Sequence, residues 1–351
     1  MPNPNELAPL TVTQGALRFN TDSGKLEYYR GGPVGFGTTT QTGEWVNLTT
    51  DSPDIQTGGT RALIGNGAED GGDVTVEENE YITISTTGTA INFGNLVTTG
   101  ARGNASVGSR TRGYVAGGYP DSASKIDIDV CTFASTGSFA DYGDLTAARY
   151  GLTSLSNSTR GVFIGGSANN TDYITLTSTG TAQDWGNSLG VYAARGCASS
   201  TRGLVMGSES PVIDPDIDYI TISTQGNWSE FGELSITRSA GGAASNSVRA
   251  ICFGGTNPSP TPGTVYNTID YVTIATLGNA QDFGDATESS YRSMATSSST
   301  RATRSGGYTP SSTVTIEYVQ IMSTGNAIDF GDLLISRGEG HGCSNGHGGL
   351  G

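Results

Sequence analysis

Short apolar runs recur along this chain between clusters of Gly, Ser, Thr, Asn and Asp. Residues 195–234 show one period. A small-residue stretch, Gly196-Cys197-Ala198-Ser199, is followed by a turn and by Arg202-Gly203-Leu204-Val205-Met206-Gly207. A Pro- and Asp-rich segment, Ser210 to Asp216, precedes Tyr219-Ile220-Thr221-Ile222-Ser223. A turn centred on Gly226 then leads into Trp228 to Leu234. β-Branched and aromatic residues between turn signals predict four short strands, with a loop over Ser210–Asp216.

The second half of this period returns six times without insertion. An aromatic or Val residue is followed seven positions later by Gly, and six positions after that by a Gly preceded by an aromatic. The copies are Tyr81–Gly88–Phe93-Gly94, Val130–Gly137–Tyr142-Gly143, Tyr173–Gly180–Trp185-Gly186, Tyr219–Gly226–Phe231-Gly232, Tyr271–Gly278–Phe283-Gly284 and Tyr318–Gly325–Phe330-Gly331. The first Gly suits a tight hairpin, and the fixed spacing sets its register, because a one-residue slip would turn every side chain over. Six equal units predict a repeat architecture.

Residues 60–347 divide into six units of about 48 residues, the size of a four-stranded propeller blade. The array begins at a second strand, Thr60-Arg61-Ala62-Leu63-Ile64, and ends with a first strand from Gly338 to about Asn345. Joined, the two ends complete one blade and remove an open edge. The expectation is an all-β, six-bladed β-propeller over residues 60–351, closed by its N- and C-terminal strands.

Charged residues recur in the same frame. An Arg starts each second strand: Arg61, Arg112, Arg160, Arg202, Arg249 and Arg301. An acid precedes each third strand: Glu80, Asp129, Asp172, Asp218, Asp270 and Glu317. A further Arg follows the aromatic-Gly pair: Arg102, Arg149, Arg195, Arg238, Arg292 and Arg337. Sixfold recurrence predicts ion pairs or hydrogen bonds within each repeat that fix blade edges. An active site would break the symmetry.

Composition narrows the partners. The net charge is −15, with 18 basic residues spread through the repeats, so nucleic-acid phosphates are not expected to bind. No apolar run approaches the ~20 residues of a membrane helix, and Met1-Pro2-Asn3-Pro4-Asn5 has no signal-like character, so a soluble protein made in a cytoplasm is expected. Cys131, Cys197, Cys252 and Cys343 form no CxxC pair and read as reduced core residues. His341 and His347 lie in a Gly-rich stretch without a zinc signature, and no G-x-S-x-G, P-loop or dinucleotide fingerprint occurs. Asp214-Pro215-Asp216-Ile217-Asp218 reads as a solvated acidic turn, with weak Ca²⁺ binding as the alternative. No catalytic residue, metal ligand or cofactor is assigned.

Second strands running into Gly-Gly, with a later aromatic-Gly, resemble the kelch repeat, although the Tyr and Trp spacing after Gly-Gly departs from it. Tyr271-Val272-Thr273-Ile274-Ala275-Thr276 with Gln281-Asp282-Phe283-Gly284-Asp285, and the ending Cys343-Ser344-Asn345-Gly346-His347-Gly348-Gly349, resemble kelch-like virion proteins of marine phages, especially those of cyanobacteria. Near the N-terminus, Gly15 to Tyr29 reads as strand, Asp-Ser-Gly turn and strand, and Gly43-Glu44-Trp45-Val46-Asn47-Leu48 as a third strand. This segment resembles the short β element near the N-termini of phage tail-fibre proteins. Residues 1–50 are expected to attach the chain to other virion proteins, with Phe19, Leu26, Tyr28, Tyr29 and Trp45 as the attachment residues and 51–59 as a linker. The alternative is a hairpin packed on its own propeller.

The resemblance implies a non-enzymatic virion structural protein, such as a tail fibre, neck or other surface component, homo-oligomeric in the particle and located in the virion. A second reading is recognition of a host surface glycan or protein. Loops between second and third strands run from 6 residues (167–172) to 15 (256–270), and variable loops on a rigid scaffold are where recognition sits. Tyr119, Asn169, Asn170, Asn257, Tyr266 and Tyr308 are its candidate residues. The third reading, a polysaccharide-degrading enzyme, needs a unique carboxylate pair that the symmetric acids do not supply.

Overall fold

Each predicted unit forms an antiparallel sheet of four strands, and the six sheets are the blades of a six-bladed β-propeller. This computed structural model describes residues 16–20, 25–31, 43–47, 60–69, 74–97, 100–120, 122–178, 180–258 and 263–350. The chain divides into two compact units, Met1–Ser52 and Pro53–Gly351. In the first, Leu17–Asn20, Lys25–Gly31 and Gly43–Asn47 form an antiparallel sheet, as the sequence predicts. Tyr28 pairs in register with both Leu17 and Val46. The linker predicted over 51–59 lies outside the described residues.

In the propeller, blade I takes its innermost strand, His341–Ser344, from one end of the array. Its other strands, Arg61–Gly65, Glu78–Thr83 and Ile91–Asn95, come from the opposite end. His341 faces Gly65 and Ser344 faces Ala62, which is the predicted closure. Blades II to VI follow in chain order, with innermost strands Ala105–Gly108, Thr153–Ser156, Arg195–Ala198, Gly242–Ser245 and Met294–Ser297. The core is divided among the blade boundaries. Leu155, Val162 and Trp185 of blade III, for example, pack on Ala198, Val205 and Ile222 of blade IV. All four cysteines are buried free thiols in these layers.

One loop prediction fails. Ser210–Asp216 is not all loop: Asp214–Thr221 is a single strand, paired from Ser208↔Asp214 through Arg202↔Thr221. The ladder tolerates Pro215 because the pairing shifts between Met206 and Ser208, opposite the residue that has no N–H to donate. Blade V is lengthened in the same way, with Arg249–Asn257 paired to Thr264–Thr273.

The invariant glycine spacing is a requirement between blades as well as within a hairpin. The N–H groups of Gly88, Gly137, Gly278 and Gly325 donate to the carbonyls of Phe330, Phe93, Phe231 and Phe283 in the preceding blade, at 2.8–2.9 Å. Each such bond covers part of an outermost strand edge. It also brings the two motif glycines together: a Cβ on Gly94 would sit 2.3 Å from Gly137 O, and one on Gly331 2.4 Å from Gly88 O.

The second-strand arginines likewise act across boundaries, which corrects the expectation of bonds within one repeat. Arg61 donates to Phe133 O, Arg160 to Ile222 O, Arg202 to Ile274 O, Arg249 to Ile321 O and Arg301 to Ile84 O, each in the next blade. Each of these guanidiniums also lies over the Tyr of its own third strand, at 4.1–5.1 Å from the ring centre. That Tyr in turn meets the Phe or Trp of the aromatic-Gly pair edge to face at 5.8–6.2 Å. Blade II has Val130 at the Tyr position, and there Tyr142 packs on Tyr114.

Candidate functional site

The recurring acids and arginines are the first chemistry to place. Asp172 is fully buried and accepts from Thr146 N, Thr146 Oγ1 and Arg149 Nη1 at 3.0, 2.6 and 2.8 Å. Asp270 does the same with Ser235 N, Ser235 Oγ and Arg238 Nη2 at 3.0, 2.6 and 3.0 Å. Glu80 pairs with Arg337 and accepts from Leu334 N at 2.8 Å. These groups clamp the connection between blades to the third strand, so here the expected structural ion pairs exist.

The further arginines are not sixfold equivalents. Arg149, Arg238 and Arg337 stand four residues before their first strands in blades III, V and I. Blades II, IV and VI have Ala101, Val191 and Ser290 at that place, and their arginines shift to Arg102, Arg195 and Arg292. In blade VI, Arg304 from the second strand fills the gap and reaches Glu317 at 2.6 Å. In blade IV no ion pair to Asp218 fills it among the described residues. Burial and the neighbouring Asp216, Asp214 and Glu230 raise the Asp218 carboxyl to about 6.

The displaced arginines bear on the axis of the ring. Two residues before each first strand the backbone has positive φ, at Gly103, Gly151, Ala193, Ala240, Arg292 and Glu339. Each of these amides donates to the corresponding carbonyl of the preceding blade, at 2.5–3.0 Å, and the six bonds close into a complete belt. Below the belt the first strands enclose a channel walled by small residues such as Ser106, Ser154, Gly196, Ala243 and Ala295. Cavities of about 60 and 80 Å³ lie along it.

At the belt end the mouth is rimmed by tyrosines and charges. Tyr119 and Tyr150 have ring centres 5.2 Å apart, and Tyr150 meets Tyr192 edge-on at 5.8 Å. Arg292 pairs with Glu339 of blade I and lies 3.8 Å from Glu209 of blade IV. Arg195 donates from Nε to Gly241 O at 2.7 Å and from Nη1 to Ala194 O at 3.0 Å. Burial, then Arg292, lowers its pKa to about 10.

At the other end the chain after Ser344 crosses the channel and stops it. Gly348–Leu350 forms a buried 3-10 turn, where a Cβ on Gly348 would lie 2.2 Å from Asn246 O. His347 Nε2 lies 2.9 Å from Gly108 O and so carries the proton, while Nδ1 accepts from Gly349 N–H at 3.2 Å. Leu350 O accepts from Arg110. The two histidines do not meet as metal ligands: His341 Nε2 bonds Asn79 Oδ1 at 2.9 Å in blade I. Among the described residues no cluster of His, Cys, Asp and Glu could hold a metal, and no helix is long and apolar enough to cross a membrane.

Only some of the sequence candidates share this mouth. Tyr119 is half-buried on its rim. Tyr308 is buried, its hydroxyl donates to Ala68 O at 2.9 Å, and its ring packs over Gly338, so it is wall and not a loop contact. Asn257 and Tyr266 are half-buried strand residues of blade V, since the long loop expected there is largely ladder. Asn169 is exposed in a turn, and Asn170 donates to Thr146 Oγ1 at 3.3 Å. In the N-terminal unit Tyr29 is buried and Tyr28 half-buried. Phe19, Leu26 and Trp45 lie on strands, but their side chains are outside the described residues. Sequence reasoning missed Tyr150 and Tyr192 and read Arg195 and Arg292 only as blade-fixing residues, because it sought recognition in the loops between second and third strands. The signal lay in the connections from fourth to first strand, where Tyr precedes the strand in three units. No protein-family model matches the chain, and no curated protein matches it.

Proposed function

We propose that this chain is a non-enzymatic structural protein of a virion surface, in a tail fibre, neck or similar appendage. The three-stranded unit attaches it to other virion proteins, and the propeller serves as the interaction module. One observation carries the division of labour. The recurring charges are largely spent on holding blades together, while the mouth of the axial channel departs from sixfold symmetry with Tyr119, Tyr150, Tyr192, Arg195 and Arg292. A rigid scaffold with one differentiated surface suits recognition. The virion setting itself rests on the resemblance of the repeats and of residues 15–29 to phage proteins. Mass spectrometry of purified particles tests it: the protein should copurify at stoichiometric level, and its absence refutes the reading.

A second reading, recognition of a host-surface glycan, is favoured by the tyrosine rim, since aromatic faces stack on sugars and flanking polar groups bond their hydroxyls. A glycan array with the intact chain should return binders that Tyr150→Ala weakens. No binding at high protein concentration counts against it.

A further inference from the structure

One of the six blade boundaries departs from the rest at several positions together. At the other five, the second-strand arginine donates to the next blade, to the carbonyl three residues beyond its third-strand Tyr or Val. Between blades II and III that carbonyl is Leu176 O, and Tyr114 Oη donates to it instead. The ring on which the arginine would lie is replaced by Val130. Among the described residues Arg112 therefore has no carbonyl, carboxylate or stacked ring for its guanidinium, and it is exposed. Its head lies by the Tyr114 hydroxyl, whose pKa burial raises and Arg112 then lowers.

A second cation stands in the same turn. Arg110 occupies the place of Ser158, Ser200, Ser247 and Ser299 in blades III to VI. It is exposed and spends Nη2 on Leu350 O, which leaves the rest of its fork free. Asn157 and Asn246 bridge to the next blade through Ser200 O and Ser299 O at 3.1 Å. Ser109, at that place in blade II, is too short to cross, and its hydroxyl accepts from Arg112 N–H at 2.9 Å within the turn. The boundary opens there into a cleft of about 360 Å³ on the stopped face of the ring. Both arginines line it, with the hydroxyl residues Ser109, Thr111, Ser158 and Thr177, and among the described residues no carboxylate does.

We propose that this cleft binds a sulfate or phosphate ester carried on a sugar. Guanidinium forks match such oxyanions, and in a chain of net charge −15 two of them without a carboxylate make a local point of attraction for anions. A carboxylate has two oxygens and is satisfied by one fork. A sulfate or phosphate monoester has three free oxygens, enough for both arginines and a hydroxyl. The cleft has room beyond the ester: at roughly 30 Å³ for each water it would hold about a dozen, and small-molecule sites begin near roughly 300 Å³. The hydroxyls of Ser158 and Thr177 suit the rest of a sugar. The proposal stands on this cleft alone and requires neither the virion reading nor the tyrosine rim at the other end of the channel.

Titration calorimetry on the full chain tests it with glucose 6-sulfate, glucose 6-phosphate, glucuronate, glucose and inorganic phosphate as probes. At least one ester should bind at least about tenfold more tightly than glucuronate or glucose, as expected for the charge-assisted bonds those two forgo. Sulfate ahead of phosphate assigns the cleft to a sulfated glycan, and the reverse order to a phosphorylated sugar. Inorganic phosphate binding as tightly as the esters would refute the sugar, and glucuronate doing so would refute the tetrahedral group. Arg112→Gln should lose about tenfold in affinity at an unchanged melting temperature, since the free protein gives its guanidinium no carbonyl. Arg249→Gln, the same position in blade V, should do the reverse, melting lower and binding as wild type. No binding of any probe at millimolar concentration, or an Arg112→Gln variant that binds like wild type or melts as low as Arg249→Gln, overturns the proposal.

Discussion

Two alanine substitutions at one contact separate backbone strain from blade-to-blade fit. Gly88 and Gly331 meet where blade VI abuts blade I, and their φ angles are nearly equal, +152° and +145°. Either substitution forces an L-residue into a conformation that costs about 1–3 kcal/mol. The surroundings differ. A Cβ on Gly88 meets nothing within 4 Å, whereas a Cβ on Gly331 would sit 2.4 Å from Gly88 O and 2.5 Å from Gly88 C. The backbone cannot yield there without losing the bond from Gly88 N–H to Phe330 O at 2.8 Å. Overpacking of this kind adds about 1–3 kcal/mol. Gly331→Ala should therefore melt lower than Gly88→Ala by at least about 2–4 °C, taking roughly 1 kcal/mol as the smallest excess. Differential scanning calorimetry of the two variants beside the wild type reads this directly. Equal losses would refute the idea that the second motif glycine is demanded by the neighbouring blade.

Other outcomes follow from the same geometry. Deleting residues 338–351 removes the innermost strand of blade I and the turn that stops the channel, so the whole ring should lose its monomeric fold; light scattering and circular dichroism showing a monomer with wild-type melting would contradict closure. Arg149→Met should cost about 3–5 kcal/mol by stranding the fully buried Asp172, and adding Asp172→Leu should recover much of it, as measured by denaturant unfolding. Asp218 has a folded-state pKa raised to about 6 from 3.8, so its contribution is fully present below 3.8 and is lost as pH rises through 6. Asp218→Asn should accordingly raise the melting temperature at pH 7.5 and leave it unchanged at pH 3; an equal gain at both would argue against ionisation as the cause.

The ring, its blade number and its closure were legible because each depends on a spacing, and spacing survives in a sequence. The partners of the charges were not. Arg61 and Arg149 belong to two series that the linear pattern assigns the same kind of bond within a repeat, but one crosses to Phe133 O in the next blade and the other turns inward to Asp172. The choice depends on which neighbour lies within reach after the blades are stacked. Tyr308 was misjudged for a related reason: it follows Gly-Gly as a loop residue would, yet the absence of a side chain at Gly338 lets its ring fall into the wall. Arg195 could be noticed only once the alternation of Arg with Val191 and Ser290 before the first strands was aligned by strand and not by distance from the glycine motif.

The split blade also sets an order of events during synthesis. Residues 61–95 leave the ribosome early, and their innermost partner, 341–344, is made more than 200 residues later. At roughly 5–20 residues per second the early strands wait tens of seconds at the slower rate, with one long edge uncovered. The amide belt cannot complete its circuit until Glu339 arrives to bridge Arg292 and Gly103. Blades II to VI can stack meanwhile, so the finished ring is a late, single event timed by the appearance of the 339–350 segment. Stalled or truncated chains would then expose their flaw at once, as sticky open arcs that a cell's quality control can tell from closed rings.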